Sequence, residues 1–162
     1  MRQTSSKILN GRNDCLNSVK TLISLAQQQV YIIGKNLEAD LYHHKVIYDY
    51  LIEMAAQNQK TDIRLIAHDT RVATSNGHYL ILLAQKLPTF VQIRITTNPE
   101  HKKFRENWLI VDEMAFMSLK DPDRYEGYYN TDDRLECRSL TEEFNDIWEE
   151  SQPDQNTRRL SL

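Results

Sequence analysis

The sequence predicts a mixed α/β domain, a mostly parallel sheet flanked by helices with an antiparallel hairpin in its second half. From Leu16 to Ile95, short apolar runs alternate with helix-spaced apolar patterns. From Trp108 to Tyr129, three more strand candidates follow one another with only short turns between them. An amphipathic pattern then runs from Leu140 to Trp148. Helix-sized crossovers call for parallel neighbours, whereas tight turns call for antiparallel ones.

Residues 1–13 are polar and are expected to be frayed. Asp14 reads as a helix N-cap, with Leu16, Val19, Leu22, Ile23 and Ala26 at helical spacing behind it. After the triple Gln, Val30 to Ile33 reads as a buried strand, and Gly34-Lys35-Asn36 as a turn. Val46, Ile47, Tyr50, Leu51, Met54 and Ala55 mark a second helix, and Ile63 to Ala67 a second strand. A third helix carries Leu80, Leu83, Ala84 and Leu87, entered near Gly77-His78 and stopped by Pro88. Val91 to Ile95 alternates as a strand. Trp108–Val111, Ala115–Leu119 and Tyr125–Tyr129 are the later strands, separated by Asp112-Glu113 and Asp121-Pro122-Asp123. The last helix starts at Asp132 or Asp133, with Glu136 placed as in a capping box, and buries Leu140, Phe144, Ile147 and Trp148. The chain of 162 residues is thus one domain over 14–152, with a polar tail at 153–162.

Twenty basic residues against 23 acidic give a net charge of −3, which excludes a protein that binds polyanions over its whole surface. A local basic face stays open. The first twenty residues hold no apolar run of signal-peptide length, and no stretch approaches a transmembrane segment, so a cytoplasmic protein is expected. Cys15 and Cys137 are then reduced thiols that pack as small apolar groups.

The stretch RENWLIVDEMAFMS, residues 105–118, carries a polar entry, an apolar strand and an Asp at the following turn. Together with the element order, it resembles one half of a phospholipase D superfamily enzyme. Members of that superfamily carry His-x-Lys-x4-Asp here, with His as nucleophile, Lys on phosphate and Asp in support. Two such halves meet within one chain or in a homodimer. Arg124-Tyr125-Glu126-Gly127 and the tail from Pro153-Asp154 to Arg158-Arg159-Leu160 further resemble an uncharacterised bacterial group of such half-domains.

With Asp112 set on the motif Asp, Arg105 falls at the His position and Asn107 at the Lys position. A guanidinium is no nucleophile at neutral pH, and an amide brings hydrogen bonds without charge. A second register uses His101-Lys102-Lys103, but then Trp108 falls where the carboxylate belongs. If 101–107 is extended, His101, Lys103, Arg105 and Asn107 share one face and form a cationic strip able to hold phosphate. The alternative is a solvated basic loop balanced by Glu100 and Glu106. Asp112 and Glu126 complete the candidate ligand-binding set, Asp112 doubling as a plain turn residue and Glu126 as a partner for Arg105. His68-Asp69 stands at a strand end and His78 at a helix start, each a site residue or a structural one. His43-His44 lacks neighbours at metal-ligand spacing, and no metal or cofactor is expected. Tyr125, Tyr128 and Tyr129 cluster with Arg124, suiting an interface or a single-strand nucleic-acid platform, while strand alternation, with Tyr125 and Tyr129 facing one way and Tyr128 the other, puts some of them in the core.

The resemblance with its altered motif implies a non-catalytic homodimer that binds a phosphate-bearing ligand (nucleic acid, nucleotide or lipid headgroup) or a protein partner. Two alternatives stand beside it. One is a metal-independent phosphodiesterase using a relocated histidine, and the other a purely structural interaction module.

Overall fold

The computed structural model describes residues 5–159. The chain opens with β1 (Ser6–Asn10), α1 (Arg12–Leu25), β2 (Gln29–Gly34), the short α2 (Ala39–Tyr42), α3 (Lys45–Gln57) and β3 (Asp62–Ala67). It continues with α4 (Arg71–Ser75), α5 (Tyr79–Lys86) and β4 (Val91–Ile95). A 3-10 turn at His101–Lys103 leads to β5 (Asn107–Val111) and β6 (Ala115–Asp121), and a second at Pro122–Arg124 leads to β7 (Glu126–Asn130). The long α6 (Arg134–Glu149), the two-residue β8 (Gln152–Pro153) and α7 (Gln155–Arg159) complete it.

One sheet runs β1-β7-β6-β5-β2-β3-β4-β8. Parallel pairing is confined to β2, β3 and β4, and the remaining pairs are antiparallel. The mixed α/β class holds, with a larger antiparallel share than the sequence implied, because β5 joins β2 antiparallel and the edge strands β1 and β8 add two further antiparallel pairs.

Alternation along β2 builds both layers. Val30 and Ile32 point into a core with Val19 and Leu22 of α1, Leu51 of α3 and Leu80 of α5. Tyr31 and Ile33 point the other way, against Phe144 and Trp148 of α6. Phe144 stacks on Tyr31 at 4.8 Å between centroids, and the guanidinium of Arg94 covers Trp148 at 4.2 Å. Asp133 caps α6 by accepting from the Glu136 N–H at 3.1 Å, as its spacing required.

Three expectations are corrected. The N-terminus is not frayed throughout: Ser6–Asn10 pairs antiparallel with β7, while residues 1–4 lie outside the described residues. An edge strand with one buried side chain, Leu9, and its neighbour Ile8 facing outward gives almost no apolar pattern to read. Helix α1 accordingly begins at Arg12, and Asp14 sits in its first turn, accepting from Lys7 Nζ and the Asn10 N–H. The tail is not simply polar. Pro153 pairs with Arg94, and buried Asp154 accepts from the Thr70 and Thr157 hydroxyls and the Asn156 N–H. Leu160, part of the tail resemblance, lies outside the described residues. Finally, 101–107 is not one extended strand, because 101–103 coils into the 3-10 turn and pairing begins at Asn107. Among the described residues no helix is long and apolar enough to cross a membrane.

Candidate functional site

The ends of β2 and β3 open beside the start of β5 and the end of β6, because β5 runs antiparallel to β2. Chain leaving a parallel strand at its C-terminal end is where open α/β sheets place ligands. A cleft of about 880 Å³ lies there, lined among others by Lys35, Glu38, Asp40, His68, Lys102, Arg105, Lys120 and Asp121. Lys35, Lys102, Arg105 and Lys120 are all exposed, and among the described residues none of the four forms an ion pair.

The floor is an internal hydrogen-bonded cluster. Asn107 is fully buried, its Oδ1 accepting from the Tyr42 hydroxyl at 2.8 Å and its Nδ2 donating to Glu38 Oε2. Glu38 Oε1 accepts from the Asn36 N–H at 3.1 Å. Gly34 makes the arrangement possible, since a Cβ there would stand 2.5 Å from both Glu38 carboxylate oxygens and 2.6 Å from Asn107 Nδ2. Burial drives the Tyr42 phenol well above its ordinary pKa, with the nearby Glu38 charge acting in the same direction.

The loop that carries Glu38 is itself held from behind. Leu37 adopts φ 63°, a left-handed conformation that costs a branched residue about 1–2 kcal/mol. Its side chain is buried and its carbonyl accepts from His78 Nε2 at 2.8 Å. His78 Nδ1 accepts from the Leu80 N–H, capping α5, so the imidazole is neutral. Burial pushes its pKa down to about 4.

His68 forms part of the cleft wall with both ring nitrogens engaged. Nε2 donates to the Phe104 carbonyl at 2.7 Å, leaving Nδ1 to accept from the Thr96 hydroxyl at 2.7 Å. Burial lowers its pKa, and the charges of Arg105 and Lys102 add to the effect against the Phe104 bond and Glu38.

Of the residues singled out in sequence, the fold brings Arg105 to the cleft and puts Asn107 beneath it. The other four lie elsewhere. His101 turns toward α6, its Nε2 3.7 Å from Glu150. Lys103 is exposed and pairs with Glu100. Asp112 sits at the opposite end of β5, accepting from the backbone N–H groups of Gln27, Gln28 and Gln29 at 2.8–3.0 Å. Asp112 and Glu113 both have positive φ, as a tight hairpin turn requires. Glu126 is exposed on β7, and Arg105 donates instead to the Lys102 and Phe104 carbonyls. His101 and Lys103 part from Arg105 and Asn107 because a 3-10 turn rotates successive side chains around its axis, whereas a strand would have aligned them. His43 Nδ1 accepts from the Tyr79 N–H, and His44 Nε2 lies 2.9 Å from the Asp40 carbonyl. Tyr129 packs on the first core while Tyr128 is exposed.

Sequence reasoning missed Lys35, Glu38, Asp40, Tyr42, Lys120 and Asp121. The one available signal was position: Gly34-Lys35-Asn36 follows the C-terminal end of a central parallel strand.

The sheet order, the helices on its two faces and the cleft at the strand ends define a phospholipase D-like fold. Solved structures that share it include Nuc, a phospholipase D family member from Salmonella typhimurium, at 12% identity and a TM-score of 0.64 over 94% of this chain and 99% of that one. NucT from Helicobacter pylori matches at 14% identity and a TM-score of 0.60, with 94% and 99% covered. TrmBL2, an archaeal chromatin protein described as showing a novel mode of DNA binding, matches at 16% identity and a TM-score of 0.67 over 92% of this chain. This chain spans 54% of TrmBL2, about half its length. At such identities the likeness is one of fold. No curated protein matched the sequence. Residues 11–160 match the family described as a domain of unknown function, DUF7931, and the chain belongs to that family.

Proposed function

We propose that this chain is a phospholipase D-like domain that binds a phosphate-bearing ligand in the cleft without hydrolysing it. The observation that carries the proposal is the combination of a cation-lined mouth with a floor in which a sealed amide, Asn107, stands at the position matched to the motif lysine. Lys35, Lys102, Arg105 and Lys120 line the mouth without ion-pair partners among the described residues. Arg can meet phosphate oxygens in a fork and Lys adds point charge. With Asp112 on the motif Asp, the motif is degenerate, since Arg105 and Asn107 stand for His and Lys. Asn107 is sealed beneath Tyr42 and Glu38. His68 has both ring nitrogens bonded, and His101 is absent from the residues that line the cleft.

The test pairs binding with turnover. Inorganic phosphate and a fluorescent single-stranded oligonucleotide are titrated against the wild type and Arg105→Ala. Loss of one exposed cation should weaken binding about fivefold at low salt, with an unchanged melting temperature. Unchanged affinity sinks the cleft as the site. Hydrolysis of a chromogenic phosphodiester that His68→Ala or His101→Ala abolishes would establish the phosphodiesterase alternative instead. The resemblance to a half-domain adds a proposed homodimer, against which a 19.1 kDa monomer at micromolar concentration would count.

A further inference from the structure

Charge in the cleft is segregated. On one wall, the loop before β5 sets Lys102 and Arg105 beside His68, the Phe104 carbonyl tying loop to imidazole. On the other, Asp40 of α2 holds the Tyr125 hydroxyl at 2.5 Å, with Asp121 at the end of β6 and Asp123 in the 3-10 turn after it. Lys120 offsets part of this second wall. Arg124 approaches Asp121 at 3.7 Å with both groups largely exposed, a contact worth little in water. Between the walls lies Glu38, which accepts one bond from Asn36 and one from Asn107. An ionised carboxylate has about four acceptor positions, so Glu38 keeps capacity for a donor entering the cleft.

A bare phosphate answers only the cationic wall. Centred in the cleft, it would meet Lys102 and Arg105 on one side and Asp121, Asp123 and Glu38 on the others. The volume, about 880 Å³, also exceeds what an inorganic anion fills and falls in the range of organic ligands. A ligand that satisfies both walls carries opposite charges at its two ends.

Resting on the phosphate-binding proposal, we infer that the cleft takes an amphoteric organic phosphate, its phosphate on Lys102 and Arg105 and an ammonium or similar cationic group on Asp121 and Asp123. The experiment is calorimetric titration at low salt with ω-aminoalkyl phosphates of increasing chain length, each beside the alkyl phosphate of equal length. At one length or more the amine should bind about fivefold more tightly, the worth of one exposed charge contact. In Asp121→Asn/Asp123→Asn, whose changes are on the surface, that preference should vanish and the alkyl phosphate should bind more tightly than to the wild type. If alkyl phosphates bind and the amine brings no advantage at any length, the inference falls while phosphate binding stands. A preference that survives the double variant removes the acidic wall from the site. If neither series binds, phosphate binding and the inference fall together.

Discussion

Asn107→Asp changes one atom group in the floor and tests the cluster directly. The variant keeps shape and still accepts from the Tyr42 hydroxyl, but it loses the donor to Glu38 and sets two carboxyls against each other. At an effective dielectric of about 20, like charges in contact repel by about 4 kcal/mol. The pair escapes by binding one proton, which restores a donor between the two groups. From an ordinary carboxyl value near 4, holding that proton at pH 7 costs at most about 4 kcal/mol, and at pH 5 about 1 kcal/mol. The native variant then binds more protons than its unfolded chain, so its stability falls as pH rises, by up to about 1.4 kcal/mol per unit between about pH 5 and 7. Urea denaturation of both proteins at the two pH values measures this. The wild-type-to-variant gap should widen by nearly 3 kcal/mol from pH 5 to pH 7. A gap that stays constant would refute the claim that Asn107 donates to a carboxylate.

His78 predicts the opposite slope in the wild type. Its folded pKa, about 4, lies below the unfolded value near 6.5, so the unfolded chain binds the extra proton in between. Its contribution is therefore full above about pH 6.5 and is lost progressively toward pH 4, by up to roughly 3 kcal/mol, and His78→Gln should flatten that part of the stability profile measured by denaturant titration. Asp112→Ala should cost about 2–3 kcal/mol, since it removes three backbone partners and puts Ala at φ 54°, yet leave phosphate affinity unchanged; a loss of affinity beyond the loss of folded protein would return Asp112 to the site.

What was legible in sequence was what a local period encodes. The helical spacing of Leu140, Phe144, Ile147 and Trp148 and the apolar runs at β2, β3, β4 and β5 mark elements whose one or two faces are buried. The edge strands were not legible: β1 buries only Leu9 and β8 buries neither of its residues. The site was half legible for a related reason. Arg105 was found through the motif that leads into β5. Glu38 and Tyr42 were not, because their partner Asn107 lies 69 and 65 positions away and the bonds depend on β2 and β5 lying side by side. The error over His101 and Lys103 was one of conformation. Period-2 reasoning aligned them with Asn107, but Lys102 and Lys103 donate backbone bonds to Asn98 and Glu100, which coils the segment.

The floor bears on the proposed function through Gly34. Any larger residue at that position would crowd Glu38 away from Asn107, so a glycine, a carboxylate, an amide and a phenol agree on one arrangement. A lysine in place of Asn107 would meet the Glu38 carboxylate at the range where the amide now donates, and its charge would be spent there rather than on phosphate. The position matched to the motif lysine thus has an internal anion for company. Under the proposed function, a phosphate entering this cleft is repelled from the floor and held at the rim by Lys102 and Arg105, near His68, whose nitrogens are both occupied. On that proposal, Glu38 is the residue that separates this cleft from one built to hold phosphate on its floor.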